Sequence, residues 1–290
     1  MGSLQNFSLL GLAMLAFAGN SLLCRVALRG GAIDAASFTT VRLLSGAIML
    51  AALVWLQHKR NAHPTQHTTL PGDSWSALAL FAYAAGFSFA YLSMTAATGA
   101  LLLFGAVQAT MIAWGLYHGE RLRKLQLGGF ALAVAGLTAL MLPGLATPGL
   151  GGSMAMLGAG VAWGAYSLRG RRKQAAVTAD PTAVTAGNFV RTIPMALVLS
   201  AVALPQLHLT SSGVLYAVAS GALTSGVGYA VWYRVLPTLQ ATHAATVQLS
   251  VPVIAALGGI VLLGEAATWP MALSACAILG GIGLVIWNKR

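Results

Sequence analysis

The sequence predicts an all-α integral membrane protein of ten transmembrane helices, arranged as two inverted five-helix repeats. Three observations predict it. Of 290 residues, 58% are apolar and 7% charged, where a soluble domain is about a quarter charged. The apolar residues fall in unalternating runs of about 18–24, the length that spans a bilayer as helix; a membrane barrel alternates over segments of about ten. The two halves of the chain resemble each other at a constant offset. A mean hydropathy of +0.79 excludes disorder, and a water-soluble enzyme is excluded by the shortage of charge.

The first span is expected near 4–24. No basic segment precedes it, so a retained helix is expected in place of a cleaved signal. The second, near 35–56, opens after Asp34. A polar loop with His58, His63 and His67 leads to the third, near 75–91; a solvated loop is expected there, not a metal site. The fourth and fifth lie near 99–117 and 125–142, joined through Gly119-Glu120. The sixth, near 151–168, carries Gly160 and Gly164 at the spacing that lets helices approach closely. The seventh and ninth, near 183–204 and 241–263, contain Pro194 and Pro252, which predict kinks. Gly221, Gly226 and Gly228 crowd the eighth, near 211–236, and the tenth lies near 269–287. Glu120 and Glu265 are expected to cap the fifth and tenth spans. Cys24 and Cys276 both lie in apolar runs, so no disulfide framework is implied.

The net charge of +11 is read as loop bias, not as a nucleic-acid signal. With the N-terminus inside, twelve basic residues fall on the cytoplasmic side, and only Arg25 and Arg29 fall outside. Both termini are then cytoplasmic, and the turn at Thr147 is external. An even number of spans follows.

The offset is 145–146 residues. Asp34–Thr39 matches Asp180–Thr185, Phe17–Ser21 matches Trp163–Ser167, and Gly119-Glu120 matches Gly264-Glu265. Residues 1–145 and 146–290 each hold five spans. An odd number forces the halves to insert with opposite orientation, the design of secondary transporters with a midplane site between repeats.

These residues resemble the drug/metabolite transporter superfamily in its ten-helix EamA-type form, over nearly the whole chain. The resemblance is carried by Trp163-Gly164-Ala165-Tyr166, Thr39–Arg42, Pro252, the two Gly-Glu pairs and the run Phe104–Thr110. Phe17-Ala18 departs from the usual Trp-Gly, and no proline in the fourth span matches Pro252. The resemblance implies an exporter of small metabolites in a bacterial inner membrane, with YddG-type amino-acid exporters the nearest kind.

Candidate cavity residues are those whose polarity or bulk is costly in lipid unless used. Arg42 and Arg191 are basic residues within spans. Asn20, Gln108, Asn188 and Gln248 bring amides. Tyr83, Phe87, Trp163, Tyr166 and Tyr229 bring aromatic faces, and His243 opens the ninth span. No carboxylate lies mid-span, so transport without carboxylate-based proton coupling is expected. The expected function is export of small amphipathic metabolites, amino acids foremost, by alternating access. The expected partners are a small-molecule substrate and the lipid bilayer, without nucleic acid, cofactor, metal or catalytic residue, and the monomer is the expected unit. The alternatives are a channel-like facilitator or a drug or nucleotide-sugar type of carrier; no pairing of nucleophile and base supports a membrane enzyme.

Overall fold

The computed structural model describes residues 3–60, 71–119, 123–141, 149–176, 180–235 and 247–287. These form ten helices: α1 (Ser3–Arg29), α2 (Ala35–Arg60), α3 (Ser74–Ala90), α4 (Ala96–Tyr117), α5 (Lys124–Met141), α6 (Leu150–Ala176), α7 (Pro181–Val202), α8 (Ser211–Val235), α9 (Ser250–Leu263) and α10 (Trp269–Trp287). Helices α1, α2, α4, α7 and α8 are both long and apolar enough to cross a membrane; α3, α5, α9 and α10 are apolar but shorter. The chain is thus an all-α, multi-pass membrane protein of ten helices.

Several boundaries differ from the sequence reading. Helix α1 runs on to Arg29, so Arg25 and Arg29 lie in its last turns and not in a loop. Helix α4 begins at Ala96, because the Thr95 side chain accepts the Thr98 N–H. Helix α6 extends to Ala176 and carries its basic cluster in helical conformation. At the ninth span a turn at Leu249 separates helical residues 247–248 from α9. Pro252 has no N–H to give the Gln248 carbonyl, and its ring crowds that carbonyl, so the helix is interrupted at Leu249, which keeps right-handed helical dihedrals, φ −65° and ψ −17°. The junction of the two halves and His63, His67, Glu120 and Thr147 lie outside the described residues.

The principal packing pairs are α5 with α10, α3 with α6, α1 with α8, α4 with α6, α1 with α9, α2 with α8, α3 with α7, α2 with α7, and α4 with α9. Adding five to every helix number returns the same set. Small residues permit the closest approaches. A Cβ on Gly129 would meet the Gly281 carbonyl at 2.6 Å, and one on Gly160 would meet the Leu103 carbonyl at 2.7 Å. Gly119 and Gly264 both have positive φ, 89° and 63°. The glycines of the two Gly-Glu pairs therefore both take a positive φ that glycine reaches without steric cost.

One end of the bundle is tied by Asp34, which precedes α2. Its Oδ1 accepts the Ser37 N–H at 2.9 Å and its Oδ2 the His208 N–H at 3.1 Å, joining the α1–α2 loop to the α7–α8 loop. Burial pushes the Asp34 carboxyl up, but the N–H bonds from Ser37 and His208 outweigh it and hold the group below its usual range. A lowered folded-state pKa gives stability that is present above the unfolded value, about 3.9, and lost as pH falls through the folded one. Asp34→Asn is therefore expected to lower the melting temperature above about pH 5, the gap closing below about pH 4. Thermal unfolding of both proteins across that range checks this.

Candidate transport cavity

The middle of the bundle holds a small cavity of about 20 Å³, lined by Phe17, Asn20, Ser21, Tyr83, Phe87, Leu103, Phe104, Trp163 and Tyr229. That volume takes about one water, against roughly 300–1,000 Å³ for a ligand pocket. A ligand of that size would enter only if the walls parted. The walls are mostly aromatic. Trp163 packs at a tilt, with ring centres 4.8 Å from Tyr83, 5.0 Å from Tyr229 and 5.5 Å from Tyr166, and Phe17 meets Trp163, Tyr229 and Trp232 edge-on.

Several of these side chains are spaced 146 residues apart: Phe17 and Trp163, Asn20 and Tyr166, Arg42 and Asn188, Tyr83 and Tyr229, Phe87 and Tyr233. Two polar clusters flank the aromatic centre. Toward the Asp34 end, Asn20 Nδ2 donates to Tyr83 Oη at 3.3 Å, and Arg42 Nη2 donates to the same oxygen at 3.0 Å. Arg42 Nε donates to Ser225 Oγ at 3.3 Å, and the Ser220 hydroxyl donates to Asn20 Oδ1 at 2.7 Å. Toward the other end, Asn188 Nδ2 donates to Tyr166 Oη at 3.4 Å, and Asn188 Oδ1 accepts the Asp73 N–H at 3.0 Å. There Arg169 pairs with Asp73 at 2.8 Å.

Ser220, Thr224 and Ser225 escaped the sequence reading. They belong to a π-helical stretch, Ser220–Val227, inside α8. The wider turn rotates successive side chains differently from an α-helix, a device frequent at functional sites. Thr224 joins Ser220 on Asn20 Oδ1. The only sequence signal was a Ser/Thr-bearing segment among closely spaced glycines.

Of the expected cavity residues, Asn20, Tyr83, Phe87, Trp163 and Tyr229 line the cavity. Arg42 and Tyr166 stand behind its wall, against Tyr83 and Trp163, and Asn188 lies one residue farther out, bonded to Tyr166. Arg191 lies farther off, with Nη1 donating to the Gly187 carbonyl at 2.9 Å. Gln248 is half-buried at the helix break, and His243 lies outside the described residues. Gln108 is buried but lies one turn beyond Phe104, off the cavity wall; its Nε2 has no partner among the described residues. Removing an amide nitrogen that bonds nothing forfeits no hydrogen bond. Gln108→Leu is expected to keep or raise the melting temperature of the purified protein in detergent.

Glu265 does not cap α10; the Thr268 side chain does, accepting the Met271 N–H at 3.4 Å. The Glu265 carboxylate instead accepts the Ala96 N–H at 2.9 Å and Arg25 Nε at 3.1 Å. Arg25 Nη1 also donates to the Tyr91 carbonyl at 3.1 Å, and Arg29 Nη1 to the Leu263 carbonyl at 3.0 Å. These bonds join α1, α3, α4 and α9 at the Asp34 end, above the cavity.

Comparison with known proteins agrees with this architecture. An uncharacterised protein of Pseudomonas aeruginosa is 54% identical over 275 residues, covering 95% of this chain and 92% of that protein. The threonine/homoserine exporter RhtA of Salmonella typhimurium is 32% identical over 153 residues, 51% of this chain, which spans about half of RhtA's length. A solved crystal structure covers 100% of both chains with a TM-score of 0.69 at 19% identity, a likeness of fold. Residues 150–287 match the EamA-like transporter family. The chain belongs to that family, the EamA-like transporters of the drug/metabolite transporter superfamily.

Proposed function

We propose that this transporter exports small amphipathic metabolites, amino acids foremost, by alternating access. The halves 1–145 and 146–290 would move as two inverted repeats about the central cavity. The observation that carries the reading is the aromatic cavity with amide, hydroxyl and guanidinium groups at its margin. Apolar faces suit a hydrophobic side chain and the polar margin suits a charged backbone group. The helix pairing that maps onto itself on adding five supports two related halves. The paired side chains at the Asp34 end support a carrier with a closable gate over a permanent pore. The printed activity of RhtA, threonine and homoserine export, supports amino acids as the class.

The reading places the Asp34 end outward in a bacterial inner membrane, with both termini cytoplasmic. A cysteine replacing exposed Gln206 should react with an impermeant thiol reagent in cells with permeabilised outer membranes. Labelling only after inner-membrane lysis overturns the orientation. Function is tested in proteoliposomes loaded with one amino acid and given labelled amino acid outside. Saturable counterflow at zero pH gradient is expected, since the described carboxylates sit at helix ends. Uptake that never saturates would mean a channel instead.

A further inference from the structure

We infer that the central site recognises the carboxylate of its substrate, through Arg42, and that the substrate's amino group is dispensable. This rests on the transporter reading above and narrows its substrate class. Arg42 is 2% exposed. Its guanidinium lies 5.2 Å from the Tyr83 ring centre and 5.0 Å from that of Phe87, both of which line the cavity. Its two described hydrogen bonds go to neutral oxygens, Tyr83 Oη and Ser225 Oγ. Its Nη1 is buried and has no partner among the described residues.

No described carboxylate neutralises this charge. The chain has five acidic residues. Glu265 is held by Arg25 and Asp73 by Arg169. Asp34 and Asp180 accept backbone N–H groups at the starts of α2 and α7, and Asp34 is about two helical turns from Arg42. Glu120 lies outside the described residues. A buried cation without a counter-ion is costly, and the cost falls when an anion arrives. A carboxylate fits the guanidinium fork with two parallel hydrogen bonds.

An ammonium finds nothing equivalent. The cavity offers it aromatic faces and neutral oxygens, and the nearby guanidinium repels it. The geometry therefore favours carboxylates with an apolar or hydroxylated tail, with or without an α-amino group. Amides and simple amines of the same shape are excluded.

The test uses ligand-induced shifts in the melting temperature of the purified full chain in detergent at neutral pH. The probes are threonine, leucine and phenylalanine, each with its 2-hydroxy acid and its amide. For at least one side chain, the amino acid and its hydroxy acid should bind within about threefold of each other, and the amide should bind about ten-fold or more weakly. Arg42→Met should remove the preference for acid over amide, and Arg42→Lys should restore part of it. The wild-type comparison decides the matter even if neither variant folds. Amides binding as tightly as the acids, with saturable counterflow intact, overturn the carboxylate inference alone. If no probe binds or is exchanged, this inference and the amino-acid reading fall together.

Discussion

Glu265→Ala is expected to destabilise the folded protein by about 3–5 kcal/mol, the usual cost of removing one partner from a buried ion pair. The Arg25 and Glu265 side chains are 12% and 4% exposed. Removing the carboxylate strands the Arg25 charge and leaves the Ala96 N–H at the start of α4 without its acceptor. Arg25 keeps only the Tyr91 carbonyl. Removing both charges together, as Arg25→Met with Glu265→Leu, should recover most of the loss, because apolar pairs of similar volume pack without the desolvation cost. Unfolding equilibria of the two single variants and the double variant in mixed micelles measure this. Cys24 supplies a second readout. It is fully buried below the pair, so in a Cys276→Ser background its reaction with a thiol reagent should accelerate when Glu265 is lost. Unchanged stability and labelling would mean that the pair does not hold this end shut.

Gly221→Ala should be nearly as damaging, for a steric reason. A Cβ there would collide with the Arg42 carbonyl and Ser45 Oγ on α2. Backbone has no rotamer to yield, so α2 and α8 must separate, at a cost of about 1–3 kcal/mol or more. The shift falls on the π-helical stretch that brings Ser220 and Thr224 to Asn20 and Ser225 to Arg42. Transport should therefore fall beyond the loss of folded protein. Gly158→Ala is the control: its Cβ would meet nothing within 4 Å, and alanine in a helix gains up to about 1 kcal/mol over glycine. Equal melting temperatures for Gly221→Ala and Gly158→Ala would refute the close approach.

Much of the molecule was legible in the chain. Hydropathy is a local property, and lipid demands long apolar helices whatever their neighbours, so ten spans could be read from composition and run length. Asn20, Tyr83, Phe87, Trp163 and Tyr229 were legible as cavity residues because polar or bulky groups in lipid need a use. Glu265 was misread for the same local reason. A carboxylate after a helix points to the next N-terminus in sequence, whereas the nearest open N–H groups in space belong to α4.

Helix rotation was not legible. A membrane helix that is apolar all round carries no stripe to say which face turns inward. Gln108 therefore looked like a central residue, and only packing put Phe104 on the cavity wall and Gln108 one turn beyond it. The π-helical stretch in α8 left only a Ser/Thr-bearing segment among glycines as its trace, and its contacts with Asn20 and Arg42 join residues about 180–200 positions apart. The number, type and approximate ends of the helices follow from the sequence alone, because each helix answers to the bilayer separately. Which side chains share the cavity, and which charge neutralises which, was decided only by tertiary structure, because those contacts join residues up to 240 positions apart, as Arg25 and Glu265 are.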